Sequence, residues 1–367
     1  VYPEDEVFFM RLGCIAFLII ASHAIAQTPS IAPVPPDSLE LVSGQTQVPA
    51  GPQQRSALVT LMGNALANHN LHMRGCNPFN IQVSFNAAAS TLYPAGQGTL
   101  EENWVSGQHW RWTASLGNYA QLQIGSNSAV YGQNLAVMPM RVKALREALF
   151  APLPGNGSRL TLRSASVSRN GTPLTCVLTS SGANQQIPAN GRQWYENEYC
   201  IDPATSTLRI SSIAPGMYVT DDYSNGHKFH ERLLPGKITI TESGSTVLEA
   251  QIDSVSDADP SNLTIYTPTA QMMAQGAAPV IEMPERFPRF FAAPAGSPSM
   301  VQPVIVHATL NQEGRILEIE ALQSNAYTSA ALQMVMQETF GGRPLPAGAS
   351  PHLREAYINV QFRPVQN

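Results

Sequence analysis

The best metal-ligand spacing in this chain belongs to two histidine pairs: His69-x-x-His72, and His227-x-x-His230 with Asp221, Asp222 and Glu231 close by. The second pair falls in a strand-like stretch, where residues three apart point to opposite faces, so the two imidazoles do not easily share one ion. The first pair falls at a helix end, where side chains three apart do converge. Histidines at that position serve as readily to interact with the last helix carbonyls, and no metal site is assigned. The sequence contains no Gly-x-Ser-x-Gly elbow, Walker loop, dinucleotide glycine fingerprint, Cys-x-x-Cys or His-Glu-x-x-His. No catalytic residue and no cofactor is therefore predicted.

The remaining chemistry lies in cysteines and aromatic residues. Outside the N-terminal apolar run the cysteines are Cys76, Cys176 and Cys200. Cys176 and Cys200 sit in strand-like segments joined by a polar loop rich in Gly and Asn. A bridge between them closes a loop of about 25 residues, worth ~3.5 kcal/mol by chain entropy; the alternative is two reduced buried thiols. Cys76 has no evident partner. Trp104, Trp110, Trp112, Tyr119 and Tyr131 fall on adjacent predicted strands, with Trp110 and Trp112 on one face and Arg111 on the other. Such a cluster either fills a core between sheet and helix or walls an apolar groove.

The elements that must carry these residues are mostly short strands. The pattern predicts a helix over Pro52–Asn68, with Leu58, Leu61, Met62, Ala65 and Leu66 on one face. Phe79, Ile81, Val83 and Phe85 alternate, and further strands follow at hairpin spacing: Leu100–Val105, His109–Leu116, Tyr119–Ile124 and Ala129–Tyr131. A helix over Pro139–Phe150 turns Val142, Leu145 and Leu149 inward. Strands resume at Arg159–Ser168, Leu174–Thr179, Gln193–Cys200, Thr207–Ile213, Met217–Thr220, Phe229–Leu234, Lys237–Thr241 and Thr246–Val255. The last two form a hairpin across Ser243-Gly244-Ser245. This is an α+β pattern: one curved antiparallel sheet wrapped over helices. A second unit follows, with a half-buried strand over Val304–Leu310 and a turn at Asn311–Gly314. Its return strand is Arg315–Leu322, its helix runs from Ser324 or Asn325 to about Thr339, and a final edge-type strand covers Glu355–Phe362.

Charged residues make up 13% of the 367, and the formal net charge of −5 leaves no basic field able to hold nucleic acid. Met10-Arg11, the apolar run Leu12–Ile20 and Ala24-x-Ala26 predict a secretory signal over 1–26 whose true start is Met10, cleaved after Ala26. The alternative is an uncleaved inner-membrane anchor, since Val7–Ala26 approaches the ~20 apolar residues that a bilayer requires. Export makes a disulfide permissible.

Two resemblances are carried by these residues. The β-β-α-β order of 303–367 has a Val-x-Val-x-x-x-Leu-x-x-x-Gly-x-Ile opening at Val304 and an Ile-x-Val-x-Phe close at Ile358. It resembles the C-terminal domain of the TonB energy-transducer family. The resemblance implies a docking module that adds a partner's strand to its last strand, here Tyr357, Ile358, Asn359, Val360, Gln361 and Phe362. The run Gly98–Val105 with Trp110-Arg111-Trp112, the segment Tyr199–Arg209 and the stretch Phe229–Leu248 are similar to strands of LolA-like periplasmic lipoprotein carriers. That implies a β half-barrel whose groove takes an acyl chain, with the aromatic cluster as its wall. The expected organisation is a signal (1–26), a Pro-rich tether (27–51), a half-barrel (52–266), a linker (267–302) and a TonB-like domain (303–367). The expected function is a periplasmic, TonB-like, non-enzymatic adaptor that docks an envelope or outer-membrane protein; the alternative is a carrier of lipid or lipoprotein.

Overall fold

The computed structural model describes residues 49–73, 75–127, 129–133, 136–155, 157–181, 191–278, 280–281, 284–294, 302–342 and 352–363. The leader, most of the tether and the proline-rich turn after the last helix lie outside them. No helix among the described residues is long and apolar enough to cross a membrane.

The first element among the described residues is α1 (Pro52–His69), entered from Gly51 with proline in its first turn, where the missing N–H is not needed. Five strands follow: β1 (Phe79–Ala87), β2 (Gly96–Ser106), β3 (His109–Leu116), β4 (Tyr119–Ser126) and β5 (Ala129–Gly132). After α2 (Met140–Phe150) come β6 (Thr161–Arg169), β7 (Thr172–Ser180), β8 (Asn197–Asp202), β9 (Thr207–Ser212) and β10 (Met217–Asp222). A small separate hairpin, β11 (His227–Phe229) and β12 (Arg232–Leu234), precedes β13 (Lys237–Glu242) and β14 (Ser245–Asp257). All but the small hairpin join one curved sheet in the order β5-β4-β3-β2-β1-β14-β13-β10-β9-β8-β7-β6. The chain therefore enters at the middle of the sheet, winds out to one edge, and crosses to the opposite edge through α2. It then winds back until β14 pairs β1, Phe79 opposite Asp257 and Ala87 opposite Leu248. That crossing is why a helix lies across the inner face.

Burial follows the alternation. Phe79, Ile81, Val83 and Phe85 all face inward, and Ile238 and Ile240 lie beside Ala250 and Leu248 across the β13–β14 hairpin. Ser243 and Gly244 turn that hairpin with positive φ at both positions, the backbone that matches strand twist. Val142, Leu145 and Leu149 of α2 pack into the same core. Leu58, Met62 and Ala65 of α1 pack on Val177, Tyr199, Ile201 and Leu208.

Past β14 the chain passes over the outer face, where Tyr266 and Met272 cover Ile124. It includes α3 (Ala270–Gln275) and then rounds the β5 edge, Ala278 N–H bonding the Val130 carbonyl at 2.9 Å. The second sheet is built from β15 (Val280–Ile281), β16 (Glu285–Ala292), β17 (Val304–Leu310), β18 (Ile316–Ala321) and, after α4 (Thr328–Met336), β19 (His352–Arg363). Residues 267–302, expected as a linker, thus contribute a helix and two strands.

Three further expectations are corrected. β19 is not an edge. It lies between β17, antiparallel, and β16, parallel from Glu285 opposite Ala356 to Ala292 opposite Arg363. Tyr357, Ile358, Asn359, Val360 and Phe362 are buried and Gln361 half-buried, so this strand's backbone ladder is already taken on both sides. β17 is buried along its whole length because both faces are covered. Val304, Val306, Ala308 and Leu310 face the side of α4, while Ile305 reaches the half-barrel core. The stretch expected as one strand over Phe229–Leu234 breaks at His230, whose φ of 52° makes the turn of a hairpin.

Candidate ligand-binding clefts

The histidines of the two pairs turn to separate partners. His69 Nε2 accepts from the Leu208 N–H at 2.8 Å, and the Tyr223 hydroxyl lies 2.9 Å from Nδ1 while donating to the Leu208 carbonyl at 2.9 Å. The ring is thereby locked neutral with its proton on Nδ1. Burial, helped by Arg209 and Arg232, lowers its pKa to about 3. His72 turns away to Glu102, at 2.6 Å. His227 donates to the Ile252 carbonyl at 2.8 Å, and His230 meets Asp257 at 2.6 Å. Asp221 is buried, and desolvation against the opposing pull of Arg209 raises its pKa to about 8. Among the described residues, the one cluster with ligand-atom proximity is Cys176, Glu198 and Cys200, and its two sulfurs are joined as a disulfide. The cysteine pair is thus bridged directly across β7 and β8, and Cys76 is free.

Two clefts flank α2 on the inner face. One, of about 300 Å³, lies between α2 and β3–β5; Trp110, Val130, Met138 and Phe150 form its apolar wall. The other, of about 410 Å³, lies on the alanine side of the helix, between Ala144, Ala148, Ala151 and the residues Ile213, Met217 and Pro284. Both have the size of small-molecule pockets. Of the five aromatic residues expected to wall a groove, only Trp110 lines a cleft. Trp104 is core, its ring 5.6 Å from that of Phe79. Trp112 is fully buried and donates from Nε1 to Gln123 Oε1 at 3.0 Å. Tyr119 is buried and donates to Gln121 at 2.7 Å. Tyr131 packs on the outer face with Tyr266.

Helix α2 adds a contribution of its own that the strand aromatics did not foretell. Arg146 and Phe150 lie four apart on α2 and so share a face. The Arg146 guanidinium sits 5.0 Å from the Trp112 ring, 5.6 Å from Trp110 and 5.8 Å from Phe150, a cation–π position on each. Its Nε and Nη2 donate to Glu102 Oε2 at 3.3 and 3.2 Å. Burial alone would raise the Glu102 carboxyl, but Arg146 and His72 outweigh it and hold the pKa below the usual range. The i, i+4 spacing of Arg146 and Phe150 was the available signal.

The second sheet closes this inner face. Lys143 pairs with Glu147 at 2.6 Å and with Glu355; His307 meets Glu355 at 2.6 Å and stacks on Tyr357 at 4.6 Å. Arg286 of β16 donates to the carbonyls of Trp194 and Ile213 and to Asn197, at 3.0, 2.6 and 2.6 Å. Burial opposes the charge on Glu355, yet Lys143 and His307 prevail and bring its pKa to about 2.

No family model matches the chain, and no curated protein matches it. Solved structures do match, among them the following three. A domain described as an outer membrane lipoprotein-sorting protein, from Vibrio parahaemolyticus, is 8% identical over 57% of this chain and 95% of that one, with a TM-score of 0.38. A LolA superfamily protein from Nitrosomonas europaea is 9% identical over 57% of this chain and 97% of that one, with a TM-score of 0.35. MucB is 13% identical over 60% of this chain and 65% of that one, with a TM-score of 0.25. At such identities and scores these likenesses carry no functional argument.

Proposed function

We propose that this protein is an exported, periplasmic binding protein that holds an acyl chain of a lipid or lipoprotein in the clefts beside α2. The observation that carries the reading is the pair of clefts themselves. They are large enough for a chain, walled by Trp110, Phe150, Val130 and Met138 on one side and by alanines, Ile213 and Met217 on the other. Burying each methylene there is worth ~0.8 kcal/mol. Docking of an envelope partner by strand addition to Tyr357–Phe362 is set aside, because β16 already occupies that side of β19.

The test is native mass spectrometry of the protein purified from its own envelope, followed by titration of the delipidated protein with a fluorescent acyl probe. Copurified acyl lipid and saturable binding are expected. Ala148→Trp, which fills the second cleft, and Trp110→Ala, which strips the first, should each weaken binding roughly tenfold, the equivalent of ~1.4 kcal/mol. A delipidated, folded protein that does not bind the probe defeats the reading.

A further inference from the structure

We propose that the cleft between α2 and β3–β5 selects acyl ligands with an anionic headgroup, a carboxylate or phosphate, recognised by Arg146 and Gln123. The inference rests on the acyl-binding reading and specifies what that site recognises.

Polar side chains reach this cleft from three separate elements. Arg146 comes from α2, His72 from the segment after α1 and Gln123 from β4, and all three line the same space. Arg146 is held rigidly, its plane among three aromatic rings and its Nε and Nη2 engaged by Glu102. Nη1 lies outside that ion pair. A guanidinium fixed on one edge presents the other at little entropic cost, which is how arginine recognises oxyanions. Gln123 is buried, and its Oε1 already accepts from Trp112, so the amide orientation leaves its NH₂ as the group with donors to offer. His72 donates from Nε2 to Glu102 and so helps Arg146 to orient that carboxylate.

The carboxylates at the same cleft are already paired. Both oxygens of Glu102, which is fully buried, are used by His72 and Arg146. Glu147 is paired with Lys143. A ligand that enters along Met138, Val130 and Phe150 thus meets donors that lack acceptors, the complement of an oxyanion. Glu102 acts here as a positioning residue. A buried ion pair is poor value as a stabiliser, whereas an arginine held in one orientation beside an apolar wall is what selection of a charged amphiphile needs.

The experiment compares three ligands of identical chain on the delipidated full-length protein at neutral pH: dodecanoate, dodecyl phosphate and dodecanol, by titration calorimetry. Wild type should bind at least one anion roughly tenfold or more tightly than the alcohol; which anion leads separates a fatty-acid source from a phosphorylated lipid. Arg146→Gln should bring the ratio of anion to dodecanol affinity down to about one, whatever its effect on the affinity for dodecanol itself. Because that variant also unpairs Glu102, Arg146→Lys and His72→Gln are measured beside it, with the melting temperature of each; folded His72→Gln should lose part of the preference. Equal affinity for dodecanol and both anions in wild type overturns the inference while the acyl-binding reading stands. Binding of none of the three overturns both.

Discussion

Tyr223 joins His69 to the Leu208 carbonyl, and removing its hydroxyl would leave two buried polar groups without partners. Tyr223→Phe should therefore cost about 1–3 kcal/mol, measured by urea unfolding. Asp221 sets a pH dependence of definite sign. Its pKa rises from an ordinary 3.8 to about 8 in the fold, so between those values the folded chain holds a proton that the unfolded chain releases. Its contribution is fully present below the lower value and is lost as the pH rises through about 8. Asp221→Asn should flatten the fall in melting temperature between about pH 4 and 8. His69 and Glu355 act in the opposite sense: their pKa values fall from 6.5 to about 3 and from 4.5 to about 2, so the stability they confer is lost on acidification through those windows. The histidine pairs were legible in the sequence: strand spacing spoke against the second as an ion site, while the first, at a converging spacing, was left unassigned because of its place at a helix end. The Glu102–Arg146–His72 arrangement was not, because it joins residues from three elements whose approach only the folded sheet creates.

At the scale of elements, strands with regular alternation were readable. β1 and the β13–β14 hairpin lie where Phe79–Phe85 and Ser243-Gly244-Ser245 put them. The pairing of Cys176 with Cys200 followed from two strand-like segments joined by one loop. Labelling of the denatured, unreduced chain from residue 49 on should modify Cys76 alone, and reduction should lower stability by ~3.5 kcal/mol. Three labelled thiols would exclude the bridge. Edge and centre were not readable. Pattern shows which residues of a strand face inward, but its neighbours in a sheet are chosen by distant segments, and β16 lies more than sixty residues before β19. Pro288 has no N–H to give a second neighbour, which suits β16 to its place as an outer strand paired, among the described residues, only with β19.

In the whole molecule the two sheets are docked face to face. Polar positions of β17 and β19 such as His307 and Glu355, which alternation alone assigns to solvent, are buried against α2. Lys143→Met would leave Glu355 and Glu147 short of their counter-charge and should cost about 3–5 kcal/mol, read as a fall in melting temperature. Gly216 tests the same contact from the backbone. Its φ is +90°, and a Cβ there would stand 1.8 Å from the Leu322 carbonyl oxygen. Gly216→Ala should therefore cost at least about 1–3 kcal/mol and open the connection between the sheets to protease. Unchanged stability and resistance in both variants would mean that this docking contributes little.

The seam between β1 and β14 has a kinetic meaning. Every other adjacent pair in the large sheet except β10–β13 links strands consecutive in the chain, whereas this one brings together residues 79 and 257. Each flanking ladder can zip up locally, but the seam must wait until both are present and a loop of nearly the whole domain has closed. Until then two long strand edges stand open at once, one at the inner end of each half. A nascent chain of this topology is most vulnerable to misassembly late, when it is almost complete.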